Sequence, residues 1–279
     1  MEAGLKTGDR PHFPACVRKL GSVPIFDPIR PWLARLPPGG WPSHETLNAL
    51  AEEAGTRTAS GMPLRFVPPA PADPYYEVHA YQSGRVATRP GNWHDLFNAL
   101  IWLAFPRTKA AINALHAAEI PREGGRRGRL RDLLTILDEG GAIVVCADPG
   151  LESLIRRFRW RELFWDCRKR VLQHMRLVVI GHAVLEKALS PWPGIACKAL
   201  FLEPGSDLDA GAAAWLDAHA GDGTPQLLAP LPVFGYPGWL AESEHAAFYD
   251  DERYFRPFKR KMGKLGSESN FRSLGKIRL

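Results

Sequence analysis

The sequence predicts an α+β fold, a single mixed domain in which helices pack around a small sheet. Stretches with apolar residues at helical spacing alternate along the chain with short apolar, β-branched runs that favour strands. The 279 residues are 45% hydrophobic and 24% charged, which is the balance of an ordinary globular protein. A chain of this length buries a sizeable core without covalent cross-links.

Charge and composition divide the chain into three regions. We expect a loosely ordered N-terminal segment at 1–21, a single α+β domain at 22–258 and a basic flexible C-terminal tail at 259–279. The tail holds seven basic residues and one acidic residue, so the rest has 36 − 7 = 29 basic and 30 − 1 = 29 acidic residues. The net charge of +6 therefore comes from the tail, which predicts at most weak, salt-sensitive polyanion binding.

Apolar content and cysteine spacing bear on localisation. No apolar run reaches the roughly 18 residues that a membrane-spanning helix needs, and residues 1–20 lack the apolar block of a secretory signal. The four cysteines are far apart and contain no CxxC pair. We therefore expect a cytoplasmic protein with reduced, mostly buried thiols and no membrane partner.

The first elements follow from turn and capping residues. Residues 23–29 begin the compact part, and Ser43 is a typical N-cap for the next helix. The proline-rich stretch 63–74 predicts an extended surface connector. Residues 75–89 alternate around Ser83-Gly84, which predicts a β-hairpin.

The most distinctive motif is a helix that begins near Asn92 with polar side chains set among aromatics and ends before Pro106. Asn92 is explained by capping. Asp95 either favours the helix dipole or orients a histidine. His94 and Asn98 lie four residues apart and share one helix face.

Beyond Pro106, apolar periodicity and turn residues predict the remaining elements. Helices are expected at about 108–118, 130–137, 151–157, 160–173, 182–189 and 210–219, strands at 142–146, 177–180 and 195–202, and a packed loop at 231–239.

Candidate site residues begin on the motif helix, where His94 can act as general base and Asn98 can contact a substrate beside Trp102. Lys109 and Asn113 continue with His116 as a polar stripe on the next helix, which is either a solvated face or one wall of a shared cleft.

A glycine-rich basic loop spans Arg126 to Arg131. Arginine binds phosphate or carboxylate in a fork, so Arg127 and Arg131 are candidate anion ligands. The loop lacks the ending of a nucleotide-binding P-loop, and a mobile basic loop explains it equally well. Further on, Asp138 and Glu139 precede two glycines; they can reach a metal, although adjacent acids there usually mark a turn.

His182 follows a predicted buried strand, at a helix start where ligands often bind. His182 and Glu186 share a helix face, which suits a His–Glu hydrogen bond or a two-ligand metal site. This spacing is common by chance and no HExxH motif is present, so the sequence assigns no metal and leaves any cofactor unknown.

Several motifs together resemble an uncharacterised bacterial family, domain of unknown function 3025. The resemblance covers most of residues 22–258 and implies no activity, cofactor or catalytic residue. The matching stretches are 92–102, 105–109, Arg131-Asp132, Asp138-Glu139, Gly181-His182, Glu186-Lys187, 234–239, 248–251 and 255–257.

Three functions compete at this point. The first is an enzyme of hydrolytic or phosphoryl-group chemistry on a polar, anionic substrate, with His94 as base, Asp95 or Glu186 orienting it, and Arg127 or Arg131 binding the anion. The second is a nucleic-acid-binding protein that uses the arginine loop and the tail. The third is a non-catalytic interaction protein whose aromatic and Pro-Gly loops form the contact surface.

Overall fold

The computed structural model describes residues 13–70, 76–124 and 126–257. Its helices are α1 (Phe13–Leu20), α2 (Arg30–Leu33), α3 (His44–Glu53), α4 (Tyr76–Ser83), α5 (Trp93–Ala104), α6 (Pro106–Glu119), α7 (Arg129–Gly140), α8 (Pro149–Arg156), α9 (Arg168–His174), α10 (His182–Lys187) and α11 (Leu208–Ala218). Its strands are β1 (Arg65–Val67), β2 (Arg85–Ala87), β3 (Gly141–Cys146), β4 (Met175–Val179), β5 (Ala196–Leu202) and β6 (Ala229–Pro232). Helices packed around small sheets confirm the α+β prediction.

The main sheet has four strands in the order β4-β3-β5-β6. The central strands β3 and β5 are parallel, and the two outer strands run antiparallel to their neighbours. Residues 141–144 of β3 are buried, as expected for a strand covered on both faces. Strand β6 overlaps the first two residues of the stretch 231–239, which was predicted to be a packed loop. Its Pro230 and Pro232 are tolerated because β6 is an edge strand.

The predicted hairpin at 75–89 is wrong. Residues 76–83 form α4, and β2 pairs in parallel with β1 in a separate two-stranded sheet. Gly84 has φ +71°, and a Cβ there would lie 2.2 Å from the Pro63 carbonyl oxygen. The glycine that suggested a hairpin turn is instead the left-handed residue that ends a helix.

The loosely ordered segment predicted at 1–21 needs correction at its end, because residues 13–20 form α1. Phe13 is buried, and its ring lies 4.6 Å from that of Trp41 and 5.3 Å from that of Trp93, which explains why the helix is held on the core. The remainder of that segment and the whole predicted basic tail lie outside the described residues.

Other predictions fared better. The helices and strands expected between residues 106 and 219 all occur within a few residues of their predicted ends, except that 160–173 is divided into a π-helical turn, Glu162–Asp166, and α9. Among the described residues, Cys146, Cys167 and Cys197 form no disulfide, and Cys197 is buried. No helix in the described ranges is both long and apolar enough to cross a membrane.

Helix α5 is the centre of the helical layer. Its Trp93 and Phe97 are fully buried, and Phe97 stacks on Phe26 with a centroid distance of 5.7 Å. Helix α10 packs on α5 and on α7, while α6 packs on α5 and α7. The first turn of α5, the last turn of α7 and the start of α10 therefore meet at one place.

Candidate functional site

Two histidines and a glutamate converge where these three helices meet. His94 lies in the first turn of α5, His182 is the first residue of α10, and Glu139 lies in the last turn of α7. The two Nε2 atoms are 3.1 Å apart. Glu139 Oε2 lies 3.6 Å from His182 Nε2 and 3.9 Å from His94 Nε2.

Capping determines where the α5 member of this cluster lies. The Asn92 side chain accepts a hydrogen bond from the Asp95 amide at 3.1 Å, which confirms the predicted N-cap. The helix therefore begins at Trp93, whose buried indole anchors the first turn in the core. His94, next in the turn, points its half-exposed ring away from that core and toward α10.

Two glycines bring Glu139 beside His182. The amides of Ile180 and Gly181 both donate to the Gly141 carbonyl, at 3.0 and 2.8 Å. A Cβ on Gly181 would lie 2.4 Å from the Gly141 nitrogen and 2.7 Å from the Glu139 carbonyl oxygen. Only glycine allows the junction between α7 and β3 to pass this close to the junction between β4 and α10.

The other nitrogen of each histidine faces a carboxylate. His94 Nδ1 is hydrogen-bonded to Glu186 Oε2 at 3.1 Å. His182 Nδ1 is buried, lies 3.9 Å from Asp138 Oδ2 and has no hydrogen-bond partner in the described part of the chain. Each imidazole thus has one nitrogen toward the shared centre and one toward an acid.

The triangle of converging atoms has dimensions suited to a small cation. The three ligand atoms, two Nε2 and one Oε2, are 3.1, 3.6 and 3.9 Å apart. Ligands about 2.1 Å from a tetrahedral ion lie roughly 3.4 Å apart. Imidazole and carboxylate together are donors that zinc and related divalent ions accept.

Behind this triangle lies a buried polar layer. Lys109 Nζ donates to Asn98 Oδ1 at 2.8 Å and to Asp138 Oδ1, and it lies 5.4 Å from the centre of the Trp102 ring. The Lys109 side chain is 5% exposed, so this ammonium depends on these partners for its solvation. Asn98 therefore faces Lys109, whereas His94 on the same helix faces α10.

The same layer continues along α6. Asn113 donates to the Glu77 carboxylate at 2.7 Å and to its carbonyl oxygen at 2.9 Å. Arg131 Nε donates to His116 Nδ1 at 3.3 Å. The polar stripe predicted on this helix is buried rather than solvated, because α4 and α7 cover it.

Burial and charge shift the pKa values of these groups. Burial lowers the pKa of His182 to about 4 and that of His116 to about 4. Burial also raises the pKa of Glu139. Burial acts to raise the pKa of Asp138 too, but the charge of Lys109 and the hydrogen bond that it donates oppose burial, and the pKa is lowered. The interior is therefore arranged around an ionised Asp138 and a neutral His182.

The predicted site residues fall into two groups. His94, His182 and Glu186 are brought together, with Asn98, Lys109 and Trp102 in the layer behind them. Asp95 is not the group that orients His94, because Arg89 binds both of its carboxylate oxygens, at 2.8 and 2.9 Å, while Glu186 binds the histidine.

The predicted anion ligands are occupied by protein carboxylates. Arg131 binds Glu123 at 2.8 Å, and Arg127 binds Asp132 at 2.9 Å. Asn113 is likewise occupied by Glu77. These contacts hold α6, α7 and the arginine loop together, so they differ from the substrate-binding roles expected from the sequence.

Glu139 and Asp138 are the residues that sequence reasoning undervalued. Their adjacency before Gly140 and Gly141 indicated a turn between elements, but both acids lie in the last turn of α7, which passes directly into β3. The missing information was that the same turn packs against the residue preceding His182. A pair of glycines at one helix–strand junction and a single glycine at another were the only signals of that contact in the sequence.

Comparison with known proteins identifies the family but no activity. Neither the curated proteins nor the solved structures include a significant match to this chain. A family model described as a protein of unknown function, DUF3025, matches residues 64–259. The matched region includes His94, Glu139, His182 and Glu186. Because it covers well over half of the 279 residues, the chain belongs to the DUF3025 family.

Proposed function

We propose that the protein is a metal-dependent enzyme of the hydrolase class, which holds one divalent transition-metal ion between His94, His182 and Glu139. The observation that carries the proposal is the convergence of three donor atoms: two imidazole Nε2 atoms 3.1 Å apart, with a carboxylate oxygen within 3.9 Å of both. The sequence alone assigned no metal ligands and left any cofactor unknown.

The carboxylates behind the histidines favour a cation at the centre. If Glu186 and Asp138 each take an Nδ1 proton, both Nε2 lone pairs point at each other and at the Glu139 carboxylate. Such an arrangement is repulsive until a cation lies between the three groups. Histidine ligands of metals usually donate their second ring proton to a carboxylate or carbonyl in this way.

Three protein ligands leave at least one coordination position for water. A divalent ion held by His94, His182 and Glu139 would act as a Lewis acid and would activate that water for attack on the carbonyl carbon or phosphorus of a polar substrate. The bond to the leaving group would break, and the proton released by the water would pass to the leaving group.

His94 has a different role here from the one expected from the sequence. With Nδ1 bound to Glu186 and Nε2 directed at the ion, His94 is a ligand rather than a general base. The metal-free alternative is a Glu186–His94 pair in which His94 removes a proton through Nε2. The 3.1 Å contact between the two side chains is compatible with both chemistries, so the experiment must separate them.

The two non-enzymatic alternatives have less support. Arg127 and Arg131 of the loop are paired with Asp132 and Glu123, so their guanidinium groups are already bound by carboxylates. A nucleic-acid phosphate would have to compete with these carboxylates for the two guanidinium groups. For an interaction protein, the indications are the exposed apolar side chains of the described residues, of which Leu172 and Trp192 are the most exposed, at 56% and 55%.

Metal analysis tests the proposal directly. The full chain is stripped with a chelator, titrated with Zn²⁺ against a chromophoric chelator, and assayed on p-nitrophenyl acetate and p-nitrophenyl phosphate. We expect one ion per chain, with hydrolysis that depends on it. The double variant His94→Gln/His182→Gln should lose the ion, whereas His245→Gln, a change at an exposed histidine, should keep it.

Two results would contradict the proposal. The first is a wild-type protein that binds no ion, or a double variant that binds Zn²⁺ as tightly as the wild type. The second is hydrolysis that survives the chelator but is abolished by His94→Gln, which would favour the metal-free Glu186–His94 pair.

A further inference from the structure

The buried ammonium of Lys109 fixes one end of the Asp138 carboxylate. Lys109 is almost fully enclosed, with Asn98, Asp138 and the Trp102 ring around its Nζ. A buried charge of this kind is stable only when it is paired and hydrogen-bonded. Because Lys109 donates a hydrogen bond to Oδ1 of Asp138, the carboxylate has a defined orientation, and its second oxygen, Oδ2, points away from Lys109.

That second oxygen faces His182. Asp138 Oδ2 lies 3.9 Å from His182 Nδ1, and this nitrogen is buried and lacks a hydrogen bond within the described residues. An unpaired buried N–H costs free energy, and the gap exceeds a hydrogen bond by about 1 Å. Rotation of the His182 imidazole would bring Nδ1 within hydrogen-bond distance of Asp138 Oδ2.

We propose that Asp138 is a positioning residue: held by Lys109 and Asn98, it binds the Nδ1 proton of His182 and directs the Nε2 lone pair at the metal ion. The inference rests on the proposed function, because it concerns the orientation of a ligand in that site. In this arrangement each histidine donates its Nδ1 proton to a carboxylate: His94 to Glu186 and His182 to Asp138. It also gives Lys109 and Asn98, which sequence reasoning placed in substrate contacts, a role in the support of the site.

A simpler explanation is that Asp138 only neutralises Lys109. Both explanations predict that loss of the carboxylate destabilises the fold, so stability cannot separate them. They differ in metal affinity and in whether the Nδ1 proton of His182 is hydrogen-bonded to the Asp138 carboxylate. Removal of a hydrogen-bond partner of a metal-ligating histidine typically weakens metal binding by about 10- to 100-fold.

The matched control is another buried acid in the same polar layer. Glu77 lies against α6, where its carboxylate and carbonyl oxygens accept hydrogen bonds from Asn113. Its carboxyl group interacts with the charges of Lys109 and Arg131 in the same layer. Within the described residues, no hydrogen bond or ion pair joins Glu77 to His182. Glu77→Gln therefore makes the same carboxyl-to-amide change in the same layer, without touching the ligand.

The experiment compares Zn²⁺ affinity by chelator competition in the wild type, Asp138→Asn and Glu77→Gln, all as the full chain. We expect a loss of about 10- to 100-fold for Asp138→Asn and less than about threefold for Glu77→Gln. The visible spectrum of the Co²⁺ form should also change in Asp138→Asn alone, because the geometry around the ion changes.

A measurement on the wild type covers the case in which Asp138→Asn does not fold. The Nδ1 proton of His182 in the Zn²⁺-bound protein should show the downfield ¹H shift and slow solvent exchange of a proton bonded to a carboxylate. A fast-exchanging Nδ1 proton without that shift, or equal Zn²⁺ affinity in Asp138→Asn and wild type, would overturn this inference and leave the metal site intact. A proton on Nε2 would overturn both proposals, because a protonated Nε2 cannot bind the ion. A wild type that binds no Zn²⁺ would overturn both proposals.

Discussion

His94 Nε2 and His182 Nε2 lie 3.1 Å apart, although 88 residues separate them in the chain. Each side chain has an ordinary position in its own helix. His94 is the second residue of α5, after the N-cap Asn92, and His182 is the first residue of the six-residue helix α10. Their proximity comes from the packing of α10 across the start of α5. The candidate site is therefore a property of a helix junction rather than of one motif.

The hydrogen bond that Glu186 accepts from His94 provides a first prediction. Glu186→Gln keeps the shape of the side chain but replaces a charged acceptor with a neutral one, so Nδ1 is held less strongly. We expect Zn²⁺ to bind about tenfold more weakly, with a small change in melting temperature. Chelator competition and thermal denaturation measure both.

Glu152→Gln is the control for this change. Glu152 has similar exposure, 35% against 27% for Glu186, and pairs with Arg156 on the surface of α8. Its substitution should leave Zn²⁺ affinity unaltered. An equal effect of the two substitutions would mean that total charge, and not the contact with His94, determines the affinity.

The backbone contact at Gly181 provides a second prediction. Gly181→Ala places a Cβ 2.4 Å from the Gly141 nitrogen and 2.7 Å from the Glu139 carbonyl oxygen, so the two junctions must separate. We expect the free energy of unfolding to fall by about 1–3 kcal/mol, because backbone atoms yield less readily than side chains. Zn²⁺ affinity should fall as well, since Glu139 moves away from His182.

Gly140→Ala is the matched control at the same turn. A Cβ on Gly140 meets nothing within 4 Å, so alanine fits in this helical position. Stability should stay constant or rise by about 0.5–1 kcal/mol, with unchanged metal binding. Denaturant unfolding of both variants measures the difference; if Gly181→Ala is as stable as Gly140→Ala, the close packing of the junctions is not essential.

The ion pair between Asp95 and Arg89 provides a third prediction. The Asp95 carboxylate accepts two hydrogen bonds from the guanidinium group and one from the Arg89 amide, the last at 2.6 Å. Asp95→Asn should lower the free energy of unfolding by about 1–3 kcal/mol, since it weakens charge-assisted bonds at a largely buried carboxylate. Because Asp95 is bound by Arg89, Zn²⁺ affinity should not change.

Arg89→Met removes the same pair from its exposed side and should destabilise the protein to a similar or smaller extent. If Asp95→Asn weakens Zn²⁺ binding while Arg89→Met does not, Asp95 acts on His94 after all. Equilibrium unfolding together with metal titration of the two variants distinguishes these outcomes.

Local patterns predicted the elements that local forces determine. The N-cap Asn92, the apolar period of α7 and the β-branched residues of β3 each reflect interactions within a few residues, and they were predicted from the sequence. The segment at 75–89 was mispredicted because Gly84 has a positive φ in a helix end as readily as in a hairpin. In the helix end, Gly84 lies directly against the carbonyl of Pro63, a residue distant in sequence that no local pattern takes into account.

The site was predictable only in part, for a similar reason. His94, His182 and Glu186 attracted attention as polar residues at helix starts or on one helix face. Glu139 completes the site only through the contact between Gly141 and Gly181, which no local pattern encodes. The helical spacing of His94 and Asn98 was correct, but it did not indicate that one faces α10 and the other faces Lys109.

The buried histidine of α6 provides a prediction about pH. His116 is 3% exposed, and Arg131 donates to its Nδ1, which holds the ring in its neutral form. Burial lowers the pKa of His116 from its ordinary value of 6.5 to about 4; the charges of Arg131, Arg127 and Lys109 act in the same direction, and that of Asp138 opposes them. Between these two pKa values, the unfolded chain takes up a proton that the folded chain does not.

The stability contributed by the depressed pKa is therefore present above pH 6.5 and is lost as the pH falls toward 4. At pH 4.5 this loss amounts to about 2–3 kcal/mol relative to pH 7. His116→Gln removes the titrating group, so its stability should decline less over this interval than that of the wild type, whatever the other groups contribute. Urea unfolding of both proteins at pH 7 and pH 4.5 measures this difference, and identical pH dependences would show that His116 titrates normally.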